Sequence, residues 1–211
     1  MIPTKEEWNN ALEERHGTKL HKVFSSAAVA ICGLGGLGSN IAIALARAGI
    51  GKLILIDYDR VDISNLHRQQ YKANQIGMDK TDALFENLKE IAPYIELEAY
   101  TACITEENAT ELLKDADIVC EAFDNAECKA MLTNLVLETM PDKYLVAASG
   151  MAGMGSVNTI QTRRVMSRFY LCGDRASDVS EAGSLVASRV MLCAAHQAHT
   201  VLRILAGKFE T

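Results

Sequence analysis

Apolar positions along the chain fall into short continuous runs, and stretches with helical spacing separate them. Residues 29–32, 52–56, 117–123 and 144–149 carry runs such as Val29-Ala30-Ile31-Cys32 and Leu53-Ile54-Leu55-Ile56. Such runs are too short for helices and read as strands buried on both faces. Residues 39–48 form an alanine-rich helical run stopped by Gly49-Ile50-Gly51. Ala83, Leu84, Leu88 and Ile91 recur at helical spacing and Pro93 ends that helix. Residues 95–100 alternate as a half-exposed strand does, a short helix runs to Lys114, and another covers residues 126–138. Residues 4–24 read as polar helix, 156–162 as a strand able to pair antiparallel, and 169–178 as turn-like after its first three positions. Residues 184–205 form a long helix, apolar over much of its circumference, that packs into the core, a partner subunit, or both.

The chemistry begins where the first strand ends. Gly33-Leu34-Gly35-Gly36-Leu37-Gly38 leads into the helix, and the second strand closes on Asp57. Strand, glycine turn, helix, strand and terminal acid make a nucleotide-binding βαβ unit of the expected length. Gly33, Gly35, Gly36 and Gly38 let the backbone turn tightly and approach a phosphate, the helix N-terminus offers unpaired N–H groups, and Asp57 can accept from ribose hydroxyls. The alternation predicts an α/β, Rossmann-like fold. Its sheet is mostly parallel with flanking helices, and antiparallel strand and a long helix come at the C-terminal end. An NAD-dependent oxidoreductase shares the turn and Asp57. Yet residues 57–80 add Asp59, Asn65, Arg68, Gln69 and Lys80, and two cations beside a phosphate turn suit a triphosphate held while one bond breaks.

These residues carry a resemblance. Gly33-Leu34-Gly35-Gly36-Leu37-Gly38-Ser39, then Asp57-x-Asp59-x-Val61-x-x-Ser64-Asn65-Leu66-x-Arg68-Gln69, then Gly77-x-x-Lys80, resembles the adenylating family of ThiF and MoeB, relatives of ubiquitin-activating enzymes. The match is dense over residues 27–128 and looser to about 207, and the chain looks most like a compact ThiF-type enzyme. The resemblance implies a single adenylation domain over 1–211. A helical segment occupies 1–24, the nucleotide-binding core 25–150, and a carrier- and dimer-facing part 151–211. It implies ATP with Mg²⁺ and a partner carrier of ubiquitin fold ending in Gly-Gly, most like the sulfur carrier of thiamine synthesis. Asp57 would anchor ribose, while Asn65, Arg68, Gln69 and Lys80 would orient phosphates. Asp124, just beyond a strand, would serve Mg²⁺, although Asp124 or Asn125 is also placed to cap the following helix. Arg15 would reach the neighbouring site across a homodimer, with Lys19 or Lys22 as substitutes. Cys172 is the candidate for a covalent link to the carrier or its sulfur, and its turn-like surroundings make it accessible.

Composition narrows the partners. A length of 211 residues with 49% apolar and 23% charged positions is that of one ordinary globular domain. The net charge of −6 argues against a broad nucleic-acid surface and leaves room for a local cationic pocket. That makes a tRNA-directed relative the lesser alternative, beside a binding module without turnover. The six cysteines show no CxxC spacing, so neither a disulfide framework nor a structural zinc site is expected. Cys128, in a helix's first turn, reads as packing. No apolar run reaches a membrane span's length and the start has no apolar h-region, so a cytoplasmic protein is expected. Arg163, Arg164 and Arg168 form a solvated basic face or meet an acidic partner. His196 and His199 lack a nearby carboxylate or thiol that would complete a metal site.

Overall fold

The computed structural model of the protein describes residues 2–211. The chain opens with two helices where one segment was expected. Helix α1 (Lys5–His16) starts at a capping box in which Thr4 and Glu7 satisfy each other's backbone N–H groups. It stops at Gly17, whose φ of +81° only glycine adopts at low cost, and α2 (Thr18–Ser25) follows.

From there strands and helices alternate: β1 (Ala28–Cys32), α3 (Gly36–Arg47), β2 (Lys52–Asp57), α4 (Lys80–Ile91), β3 (Glu96–Thr101), α5 (Glu106–Leu113), β4 (Ile118–Glu121), α6 (Ala126–Thr139) and β5 (Tyr144–Ala148). The chain then adds β6 (Gln161–Met166), β7 (Phe169–Gly173), the short α7 (Val179–Ala182) and α8 (Ala187–Leu205). The sheet order is β3-β2-β1-β4-β5-β7-β6. Every neighbouring pair is parallel except β6 with β7. Ile41 and Leu45 of α3, Leu84 and Leu88 of α4, and Val190 and Val201 of α8 cover one face of the sheet. Ala109 and Leu113 of α5 and Leu132 and Val136 of α6 cover the other. Both faces being roofed, the central strands are apolar at nearly every position.

Two expectations change. Residues 157–159 are a 3-10 turn, and the antiparallel strand starts later, at Gln161. The stretch read as turn-like contains β7, a full parallel partner of β5. Cys172 therefore sits in a strand with no exposed surface.

Between β7 and α8 the chain is fastened by a buried ion pair. The Asp174 carboxylate accepts from Ala176 and Ser177 N–H groups at 2.9 and 2.8 Å and from the Arg189 guanidinium. Arg189 also donates to the Gly155 and Ser156 carbonyls, both at 2.7 Å. Burial opposes the charge on Asp174, but these donors outweigh it and hold the carboxyl down at about 2. A carboxyl depressed on folding contributes stability above its unfolded value of about 3.9, lost as pH falls toward 2. Asp174→Asn is therefore expected to cost roughly 2 kcal/mol at neutral pH and to flatten the acid limb of stability below about pH 4. Urea midpoints measured from pH 7 to 2 check this, and parallel acid limbs in both proteins would refute it.

Candidate functional site

The glycine turn is built by exclusion. Gly33 adopts φ +92°, and a Cβ there would press on the Ala122 carbonyl, while one on Gly38 would collide with the Gly33 carbonyl oxygen. The two positions bring β1, β4 and the start of α3 into backbone contact. Gly36 opens α3 and Gly35 is its N-cap, so the helix begins earlier than residue 39. At Gly35 the space is open: a Cβ would meet nothing nearer than Gln69 Nε2 at 3.8 Å. That leaves room for a ligand against unpaired N–H groups.

Leu34, inside the turn, is clamped at both ends. Its N–H donates to Asp57 Oδ2 at 2.6 Å, and its carbonyl accepts from the buried Tyr71 hydroxyl at 2.7 Å. Asp57 Oδ1 accepts from Asp59 N–H at 2.8 Å. Burial, then Asp57 and Asp59, push the Tyr71 phenol up, so it stays a neutral donor. Asp57 is thus the turn's anchor as well as the candidate ribose acceptor. Lys80, 6% exposed at its side chain, pairs with Asp59 at 2.7 Å and stands 3.9 Å from Asp57. Here its ammonium is tied to the two acids rather than extended toward the turn.

The loop after β2 is sewn to α3. Ser39 Oγ donates to the Gly35 carbonyl at 2.7 Å and accepts from Gln70 N–H at 3.1 Å. Asn40 Nδ2 donates to the Gly36 and Arg68 carbonyls at 2.7 and 3.2 Å. These bonds lay the Arg68 side chain across the first turn of α3, where its Cγ and Cδ would stand 3.5 Å from a Cβ on Gly36. Its Nη1 donates to Ser64 O at 3.3 Å and stands 3.3 Å from His67 Nε2. Gln69 is buried beside it with Oε1 unpartnered, an acceptor without a donor next to the open position at Gly35. Asn65 accepts from the Arg68 and Gln69 N–H groups through its carbonyl. His67 contacts the Ser64 and Leu185 carbonyls at 2.9 and 3.1 Å, linking this loop to the segment before α8.

At the end of β4 the capping alternatives separate. Asn125 Oδ1 accepts from Glu127 and Cys128 N–H groups, both at 2.9 Å, so Asn125 is the cap of α6. Asp124 is left exposed, with no hydrogen bond or ion pair among the described residues. Asp59 first, then burial, raises the phenol of the neighbouring Tyr58, with smaller contributions from Cys103, Asp124 and Asp57. No group of three or more His, Cys, Asp or Glu side chains is gathered to hold a metal among the described residues. Mg²⁺ shared between one carboxylate and phosphate oxygens forms no such group, and the free Asp124 fits that role.

Sequence reasoning missed Tyr71, Ser39 and Asn40, whose roles depend on bonds across 37, 31 and 28 positions. It also missed Glu121, buried and ion-paired with Lys129 at 2.9 Å behind the site. Burial raises its carboxyl against the pull of that ammonium.

Two of the candidate residues lie away from the glycine turn of their own chain. Arg15 is exposed in the last turn of α1, a helix packed near the amino-terminal ends of the strands, where Leu12 meets Gly49. Cys172 is buried in β7, three strands along the sheet from β1, and burial raises its thiol despite bonds to Thr162 and Thr200. The expectation of an accessible Cys172 is corrected: in the folded protein iodoacetamide should label Cys103 and Cys128 and spare Cys172, as peptide mapping would read.

The sheet order and the turn at the carboxyl end of β1 define a Rossmann-like α/β domain. The chain belongs to the ThiF family, whose profile matches residues 9–211. Among similar sequences, "Adenylyltransferase and sulfurtransferase MOCS3" of Caenorhabditis briggsae is 34% identical over 149 residues, covering 70% of this chain and 36% of that protein. "Adenylyltransferase and sulfurtransferase UBA4" of Lodderomyces elongisporus is 27% identical over 194 residues, covering 89% and 42%. The chain thus spans well under half the length of these relatives. Among solved structures, E. coli tRNA N6-threonylcarbamoyladenosine dehydratase, TcdA, in complex with AMP, matches with a TM-score of 0.85, 21% identity and 99% of both chains. E. coli MccB with AMPCPP and MccA matches at 0.74, with 21% identity, 99% of this chain and 67% of that one. At these identities the likeness is one of fold. No helix among the described residues is long and apolar enough to cross a membrane.

Proposed function

We propose that this chain uses ATP to adenylate the C-terminal carboxylate of a small ubiquitin-fold sulfur carrier ending in Gly-Gly. The observation that carries this reading is the Arg68 side chain, whose Cγ and Cδ lie over Gly36 at the N-terminus of α3 and bring a cation to that helix end. A triphosphate seated on the backbone N–H groups there meets a second cationic contact. The carrier carboxylate attacks the α-phosphorus. The bond to the bridging oxygen breaks, and pyrophosphate leaves with that electron pair. No side-chain nucleophile is required, and positioning with charge stabilisation supplies the rate.

Asp57 orients ribose while holding the turn, Gln69 offers its free acceptor, and Arg68 with Asn65 fixes the phosphates. Lys80 moves from Asp59 to the phosphates as the triphosphate binds. Asp124 would hold Mg²⁺, which would supply neutralisation of phosphate charge. Arg15 enters from a second subunit of a homodimer. The sulfurtransferase names of the sequence relatives support a sulfur carrier as acceptor, and the resemblance to ThiF points to the carrier of thiamine synthesis. A second reading keeps the chemistry and changes the acceptor to a carboxylate on modified tRNA. The matching extent of TcdA favours it, and the net charge of −6 counts against it.

ATP–pyrophosphate exchange with Mg²⁺, run with separate Gly-Gly carriers and with tRNA, tests the proposal. Exchange that depends on one carrier supports it. Exchange driven only by tRNA selects the second reading, and nucleotide binding without exchange under any condition sinks both.

A further inference from the structure

A second cleft, of about 750 Å³, lies between α8, β6 and the last residues of the chain. That size is typical of small-molecule sites, about 300–1,000 Å³. His196, His199 and Arg203 line it from one face of α8, and Lys208 closes it from the tail. We infer that this cleft is a second anion site, taking a small molecule that carries a phosphate or pyrophosphate group.

The charge balance of the cleft is the first argument. Arg203 and Lys208 form no ion pair among the described residues, and Arg203 donates only to the Glu210 backbone carbonyl at 2.7 Å. The chain has 27 acidic side chains against 21 lysines and arginines, yet only Glu210 lines this cleft, and it forms no ion pair. A cation in the last turn of a helix complements the helix dipole, which accounts for Arg203 but not for the rest of the cluster.

The second argument is orientation. His196 Nδ1 meets Thr162 Oγ1 at 2.9 Å, which fixes the ring and leaves Nε2 without a protein partner. Burial and then His199 disfavour the proton on His196, so these two rings repel when charged, and an anion between them removes that cost. Ile160 and Leu192 supply apolar surface for the organic part of the ligand.

The site is separate from the glycine turn. Val190 packs on Gly36, and His199 lies nine residues further along α8, about 14 Å at roughly 1.5 Å per residue.

Inorganic pyrophosphate titrated into the whole protein, with the imidazole signals followed by NMR, tests the inference. The chain has five histidines. His196 and His199 should move saturably, His67 should report the glycine-turn site independently, and His16 and His21 should stay still. Saturable movement of His196 and His199 should persist in Arg68→Ala. It should weaken at least tenfold in Arg203→Gln and in Lys208→Gln, the latter an exposed change that leaves folding intact. Signals of His196 and His199 that do not move, that move only in proportion to salt, or that stop moving in Arg68→Ala would overturn it. Because Arg68→Ala disables only the nucleotide site, failure here is distinguishable from failure of the adenylation proposal.

Discussion

Asp124→Ala is expected to fold as the parent does and to lose pyrophosphate exchange by about a hundred- to a thousandfold, the usual cost of removing a group that stabilises developing charge. Folding is spared because the side chain is exposed and makes no bond, and because Asn125, not Asp124, caps α6. Surface changes of that kind usually stay within about 0.5 kcal/mol. Exchange at saturating Mg²⁺ and a thermal unfolding midpoint, measured on the same preparation, check both halves. Asn125→Ala is the control with the opposite signature: about 1 kcal/mol of stability lost with the cap, and exchange retained. Unchanged exchange in Asp124→Ala would remove Asp124 from the site. Exchange lost together with folded structure would make its role architectural.

How much of this was legible before the structure follows from where the information sits. Strands β1, β2, β4 and β5 are buried on both faces, so their apolar runs announce them, and the glycine turn is a local pattern. Strand β7 was hidden because its signal is only the alternation of Tyr170 and Cys172 inward, cut short by the polar residues after Gly173. Its pairing with β5 overrides the local turn chemistry. Strand β6 is the sheet's edge, exposed and basic at Arg163 and Arg164, as edge strands that discourage pairing tend to be. Its start shifted because the buried Ile160 belongs to the end of the preceding turn. In the site, residue types at fixed spacing pointed to the turn, Asp57 and Arg68, and the family resemblance pointed to Asp124 beyond the end of β4. The ties that give them geometry, Tyr71 to Leu34 and Asn40 to Arg68, leave no periodic trace. The Asp174–Arg189 pair has none either, being 15 residues apart on different elements.

Asp57→Ala is expected to fail in both stability and activity, because one carboxylate serves both. Its removal leaves the Leu34 N–H buried without an acceptor, a cost of about 1–3 kcal/mol. Lys80 loses one of two acids and keeps Asp59, whose side chain is 50% exposed. Breaking a buried pair outright costs about 3–5 kcal/mol. With Asp59 still bound to Lys80, a total near 3 kcal/mol is expected, a large share of the roughly 5–15 kcal/mol that holds a domain folded. Urea unfolding should show a lower midpoint at unchanged slope, the mark of lost stability without a change in the surface exposed. Nucleotide binding should vanish even where the protein remains folded, because the turn loses its anchor and the ribose its acceptor together. Tyr71→Phe separates these effects. It releases the other end of Leu34 at about 0.5–1.5 kcal/mol for one hydrogen bond, while leaving the Asp57 carboxylate in place. If Tyr71→Phe binds nucleotide normally and Asp57→Ala does not, the carboxylate acts on the ligand as well as on the turn. If both bind poorly in proportion to their lost stability, Asp57 is an anchor alone and the ribose role passes to another residue of the site.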